Sequence, residues 1–203
     1  MVDMKPRKSF PVKKKYTAKE FFEFTKNKPE NERYELIDGE ICRVGDTLMS
    51  APKIKHQRII REIISELRDY LKDKTCEPFV SPVDVVLFEK EKDRDKSQNV
   101  FQPDIFVVCD PEKITEDRIY GAPDFVIEVV SPSNSKHDDV NKLHAYIKYG
   151  VKEFWLIMPE TDSVQVYTKE EKEKMQVDFY TFTDKIKVGI FEDFEIDFNE
   201  LQI

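Results

Sequence analysis

Apolar residues along this chain follow two different spacings. From Ile54 to Leu71 they fall at 54, 59, 60, 63, 64, 67, 70 and 71, the three-and-four rhythm of an amphipathic helix, with Pro52 near its first turn. Thr17-Ala-Lys-Glu20 is a capping box, in which hydroxyl and carboxylate each accept a terminal amide proton. Phe21, Phe22 and Phe24 follow it as the stripe of an earlier helix. Between the helices, Tyr34–Ile37 and Glu40–Val44 flank Asp38-Gly39, a dipeptide suited to the positive φ angles of a tight hairpin, which predicts two antiparallel strands.

Further on, the spacing shortens. Phe79–Phe88, Phe101–Val108, Asp124–Val130 and Glu153–Met158 read as strands, and the last three are dense enough in apolar residues for a sheet covered on both faces. Ser131-Pro-Ser-Asn-Ser135 breaks the chain, and Asp138–Tyr149 forms a helix closed by Gly150. Strand, helix, strand in that order implies a right-handed parallel crossover. On this helix Val140, Leu143 and Ile147 make the core stripe, and Lys142, Tyr146 and Tyr149 lie on a different face. Ser163–Tyr167, Gln176–Phe182 and Lys185–Phe191 read as short edge strands around a hairpin tip at Lys169–Lys174. The eight charges of Glu89–Lys96 sum to zero and read as a solvated loop. The result is one α/β domain, a mixed β-sheet flanked by helices, running from residue 17 to 203. Residues 1–16 form a basic tail, read as a mobile solubilising terminus or a non-specific phosphate contact.

Composition narrows the classes. With 39% apolar residues, including 15 Phe and 8 Tyr, disorder throughout is excluded. Apolar runs stop at five or six residues, well below the roughly 20 of a membrane-spanning helix, so no membrane is expected. No leader-like start is visible, which points away from secretion. Cys42, Cys76 and Cys109 are odd in number and unclustered, fitting a reducing cytoplasm and offering neither a disulfide frame nor a zinc site. The five glycines, at 39, 45, 121, 150 and 189, spell neither a dinucleotide fingerprint nor a P-loop. A serine-hydrolase elbow and a His-Glu-x-x-His helix are also missing. A net charge of −8 disfavours a protein that merely coats nucleic acid, but an enzyme needs only a local basic lining.

Two acids stand out because they interrupt core strands. Side chains alternate along a strand, so Glu128 shares a face with Val126 and Val130, and Asp104 with Phe106 and Val108. A lone buried carboxylate costs several kcal/mol or takes up a proton. If the strands are neighbours, about 4.8 Å apart, both acids reach one point, where a divalent cation neutralises them. Mg²⁺ or Mn²⁺ suits such oxygen ligands. The bland alternative is a half-exposed Asp104 and a Glu128 salt-bridged to an arginine or lysine. Asp124 lies roughly 13 Å along its strand from Glu128, too far to share an ion.

Pro103-Asp104, 23 intervening residues and then Glu128-Val129-Val130 resemble the PD…(D/E)xK motif of the restriction-endonuclease-like nucleases. More closely, Tyr34-Glu35-Leu-Ile-Asp-Gly-Glu40, His56-Gln57, Gln102-Pro-Asp104, Glu128-Val-Val-Ser-Pro-Ser133, Lys142, Tyr146 and Gly150-Val-Lys-Glu-Phe-Trp155 resemble the Uma-two family of bacterial endonucleases. The resemblance covers residues 17 to 168. It implies a restriction-endonuclease-like core, a metal-dependent cut in DNA, and Asp104 and Glu128 as holders of Mg²⁺. Val130 stands where the superfamily has its lysine; the resemblance supplies that lysine from the following helix as Lys142. The spacing alone equally allows Lys142 a surface ion pair with Asp138. The resemblance also raises Glu35 to a third acidic group and makes His56 and Tyr146 candidate substrate contacts, although a neutral helix-face histidine explains His56 as well. DNA is then the partner, and two strands to cut suggest a homodimer. A catalytically inactive DNA-binding or protein-interaction module is the rival reading, motivated by Val130 and the acidic charge. Hydrolysis of a small phosphate ester is a third.

Overall fold

A computed structural model describes residues 14–29, 31–44, 53–131, 136–169 and 175–203. The basic segment through residue 13, Pro52, the loop at 132–135 and the hairpin tip at 170–174 lie outside the described residues.

Helix α1 (Ala18–Thr25) opens on the anticipated capping box, with Glu20 N donating to Thr17 Oγ1 at 3.3 Å and Thr17 N to Glu20 Oε2 at 3.0 Å. Strands β1 (Tyr34–Ile37) and β2 (Glu40–Arg43) pair antiparallel around Asp38 and Gly39, whose φ angles are 46° and 79°. Glycine is needed there twice over, because a Cβ at Gly39 would stand 2.8 Å from Lys15 Cβ. Helix α2 (Ile54–Leu71) buries His56, Ile59, Ile63, Leu67 and Leu71 along one side and leaves Ile54 exposed at its start.

Two segments read as single strands are each split between sheets. Phe79–Phe88 becomes β3 (Glu77–Val80) and β4 (Val85–Val86), with a cis Ser81–Pro82 peptide between them. Phe101–Val108 becomes β5 (Val100–Phe101) and β6 (Ile105–Val108), parted by Gln102-Pro103-Asp104. Proline has no N–H for a ladder, so pairing stops at both places and the chain passes from one sheet to the other. The charged run at 89–96 is also more ordered than a loop: Glu91–Lys96 winds into an exposed 3₁₀ turn, with Arg94 3.0 Å from Glu91.

The remaining elements are β7 (Ile119–Tyr120), β8 (Phe125–Val129), α3 (Lys136–Tyr149), β9 (Glu153–Met158), β10 (Ser163–Lys169), β11 (Met175–Thr181), β12 (Lys185–Lys187) and β13 (Glu195–Asp197). One sheet has the order β11-β10-β9-β8-β6-β3, a second β2-β1-β5-β4-β7, and β12 pairs with β13. Strands β8 and β9 are parallel and joined through α3, as the strand, helix, strand order implies. Strand β10, read as an edge, lies between β9 and β11.

These elements stack in layers. The stripe of α2 packs with β12 and β13 on one face of the six-stranded sheet, against Ile105, Val107, Phe125, Ile127 and Val129. The opposite face, with Phe106, Val108, Val126 and Phe154, meets the five-stranded sheet through Val85 and Phe101 and meets α3 through Ala145 and Tyr146. Helix α1 covers the outer side of the five-stranded sheet at Leu36, Val86 and Val100. On α3 the burial corrects the sequence reading. Tyr146 is fully buried and Leu143 and Ile147 only half so, so the side bearing Lys142 and Tyr146 faces the core.

Cys76 and Cys109 form a disulfide, which overturns the expectation that the cysteines offer none. They are 33 residues apart in sequence. The β3/β6 register, with Glu77 opposite Val108, continues one step to set the two cysteines face to face.

Candidate active site

The β6/β8 register pairs Ile105 with Ile127 and Phe106 with Val126, and one step further it sets Asp104 opposite Glu128. Both acids lie on the face turned towards the second sheet, as the alternation predicts. Asp104 Oδ2 accepts the Val129 N–H at 2.8 Å, and His56 Nε2, from the first turn of α2, stands 3.6 Å from the same oxygen. Glu128 Oε1 accepts a hydrogen bond from the Tyr146 hydroxyl at 3.0 Å and faces Lys142 Nζ at 3.4 Å.

The third acid comes from the other sheet. Strand β1 turns Glu35 inward, where Oε1 accepts the Gln102 N–H at 2.8 Å and lies 2.8 Å from Lys142 Nζ. Lys142 also sits 5.8 Å from the ring centroid of Phe101. Glu35, His56, Asp104, Glu128, Lys142 and Tyr146 are therefore all brought to one place, the seam between two sheets and two helices. Asp124 is elsewhere, at the other end of β8, accepting the Cys109 N–H at 2.8 Å and paired with Lys152 at 2.7 Å.

Burial sets the electrostatics. It pushes the Glu128 carboxyl up to about 8, with the charges of Asp104 and Glu35 adding to the rise and Lys142 opposing it. For Lys142, burial works against the charged form. Glu128 and Glu35 outweigh it and hold the ammonium above the usual lysine range. The Tyr146 hydroxyl is raised well above the ordinary tyrosine range by burial and by Glu128 beside it.

The sequence pattern missed Asp84. Its carboxyl is raised first by burial, and it accepts Gln102 Nε2 at 2.9 Å, so Gln102 ties it to the backbone N–H that holds Glu35. The signal was available: Asp84 precedes Val-Val in a buried strand, just as Asp104 precedes Ile105.

The donor set fits a hard divalent cation. Asp104, Glu128 and Glu35 each spend one oxygen on the bonds above, and the second oxygen of each makes no hydrogen bond to a described residue. Among the described residues no three of His, Cys, Asp and Glu form a ready-made cage. What the chain offers is two opposed carboxylates with a third behind them, and Mg²⁺ characteristically takes one or two carboxylates and keeps several waters. A cation there would offset the burial and the neighbouring acids that push the Glu128 carboxyl upward.

Acids and a lysine meeting at the seam of a mixed α/β core are the arrangement that the resemblance to restriction-endonuclease-like nucleases implies. Comparison with known proteins agrees. The model of the Uma2 family, described as "Putative restriction endonuclease", matches residues 18–199, and the chain belongs to that family. A crystal structure of "a putative nuclease belonging to DUF820" from Anabaena variabilis superposes with a TM-score of 0.68. It is 21% identical and covers 88% of this chain and 94% of its own, a likeness of fold. The uncharacterized protein slr1290 of Synechocystis sp. is 23% identical over 190 residues, 93% of this chain and 90% of that protein. Among the described residues no helix is long and apolar enough to cross a membrane.

Proposed function

We propose that this protein is a metal-dependent endonuclease that hydrolyses DNA phosphodiester bonds. The observation that carries the reading is the pairing of Glu35 and Glu128 with a single half-buried lysine, with Asp104 opposite Glu128 and an oxygen of each acid left without a hydrogen bond to a described residue. Asp104 and Glu128 would hold Mg²⁺ or Mn²⁺, with Glu35 directly or through water. When bound, the ion lowers the pKa of a coordinated water and screens the phosphate. Lys142, held charged by its two acid neighbours, stabilises the attacking hydroxide or the charge on the pentacovalent phosphorus. Tyr146, fully buried, holds Glu128 and so acts as a positioning residue, while His56 flanks Asp104 and is the candidate substrate contact. The chemistry needs no protein nucleophile.

A double-strand cut takes two such sites, which a symmetric homodimer would provide. The reading sets the protein beside DNA in the cytoplasm; the Cys76–Cys109 bond is the feature that pulls the other way. The test is plasmid cleavage with Mg²⁺ or Mn²⁺. Activity is expected to vanish with EDTA and in Asp104→Ala and Glu128→Ala while circular dichroism stays unchanged. Cutting that persists in both variants overturns the assignment in favour of another site, and a wild type that binds DNA without cutting it favours the inactive binding module.

A further inference from the structure

A cavity of about 330 Å³ opens beside the acid cluster, lined by Lys53, Lys55, His56, Val130, Ser131 and the Pro159–Asp162 turn. It lies along the edge of the six-stranded sheet where the parallel strands β8 and β9 both end, which is where open α/β sheets receive their ligands. His56 forms the inner end, 3.6 Å from Asp104, and Val130 and Ser131 follow directly on the strand that carries Glu128. The cavity thus adjoins the candidate metal site through His56 and through the residues that follow Glu128.

Beside His56 and Ser131, its lining carries two facing ion pairs. Lys53 Nζ lies 2.7 Å from Glu160, and Lys55 pairs with Asp162 while donating to the Pro159 carbonyl at 2.9 Å. Lys53, Glu160 and Asp162 are more than half exposed and Lys55 more than a third, so these are weak, solvent-screened surface pairs, readily exchanged for another anion. A chain with a net charge of −8 that binds a polyanion needs its cations gathered at the site and neutralised elsewhere.

We propose that this cleft binds the phosphodiester backbone flanking the scissile bond, with Lys53 and Lys55 as phosphate contacts and Glu160 and Asp162 as place-holders that the phosphates displace. The proposal rests on the nuclease reading and deepens it by assigning the path of the substrate. The acidic turn keeps the lysines oriented and neutral towards stray anions. A polyphosphate chain, which offers several charges at once, outcompetes it.

The experiment is fluorescence anisotropy of a fluorescein-labelled DNA duplex, in a Glu128→Gln background to prevent cutting, over a series of salt concentrations. Lys53→Gln/Lys55→Gln is expected to weaken binding about tenfold and to reduce the slope of log affinity against log salt by about 2. Glu160→Gln/Asp162→Asn is expected to tighten binding about threefold to tenfold. Lys72→Gln/Lys74→Gln, a charge-matched change at the far end of α2, is expected to leave binding unchanged. If the Lys53/Lys55 variant binds within twofold of its parent, the cleft is not the path, even where the wild type cuts plasmid normally. If the acidic variant fails to bind more tightly, the place-holder role is overturned. A wild type that neither binds nor cuts DNA defeats the nuclease reading itself, and this proposal with it.

Discussion

Lys142 stands closer to Glu35, at 2.8 Å, than to Glu128, at 3.4 Å, so the lysine from α3 is bound chiefly by an acid of the opposite sheet. It bridges the two layers and leaves Glu128 the less satisfied partner. Removing the bridge takes from Glu128 the positive charge that opposes its protonation and from Glu35 its ion-pair partner. Lys142→Gln is therefore expected to destabilise the fold by about 3 kcal/mol near pH 9, where the wild-type Glu128 carboxyl is ionised, measured by urea denaturation. The deficit should shrink as pH falls through about 8, where Glu128 takes up its proton. A cost that does not change with pH counts against the bridge.

Glu128 gives the metal-free protein an unusual pH dependence. Its native carboxyl is raised to about 8, while the unfolded chain releases the same proton near 4.5. Between those values the native state binds more protons than the unfolded one, so stability falls as pH rises. The expected slope is on the order of 1 kcal/mol per pH unit in EDTA, and Glu128→Gln should flatten it. Lys142, also raised, adds stability that is lost only above the ordinary lysine range and does not interfere.

Adding the cation should reverse that loss. At pH 8, Mg²⁺ or Mn²⁺ at about 100 times its dissociation constant is expected to stabilise the wild type by about 2.7 kcal/mol, seen as a higher Tm. At pH 5, where Glu128 holds its proton, the gain should be smaller. Asp104→Asn should show little gain at either pH.

Tyr146→Phe isolates one hydrogen bond. The hydroxyl favours the charged form of Glu128, so its loss is expected to raise that carboxyl further and to move the pH profile of metal-dependent cutting towards alkali. The accompanying loss of stability should be about 1 kcal/mol. An unshifted profile with the same loss of stability would reduce Tyr146 to packing.

Much of this site was legible because it breaks local rules. Asp104 and Glu128 stand out among Val, Ile and Phe, and period-two alternation gave the face that each shares along its own segment; that the two strands are neighbours was a condition, which the β6/β8 register meets. Glu35 was not separable from an exposed hairpin acid, because its burial depends on Lys142 of α3 and the Gln102 N–H meeting it, which is tertiary information; the resemblance to a family supplied it. The face of α3 was misread for a related reason. Leu143 and Ile147 look more apolar than Lys142 and Tyr146, yet the acid cluster rewards a lysine and a tyrosine hydroxyl more than the sheet rewards two aliphatic chains. The split of Phe101–Val108 was hidden because one apolar run serves two sheets. The disulfide was hidden because register, not sequence distance, decides which cysteines meet.

The passage of Gln102-Pro103-Asp104 from one sheet to the other has a consequence for how the protein comes to be armed. Glu35 arrives with the first layer, Asp104 and Glu128 with the second, and Lys142 with the crossover helix between them. A newly made chain whose layers have not yet closed on each other has Asp104 opposite Glu128 but neither Glu35 nor Lys142 beside them. On the proposed function, cutting would begin only as the last joint shuts and would stop as soon as that joint opens.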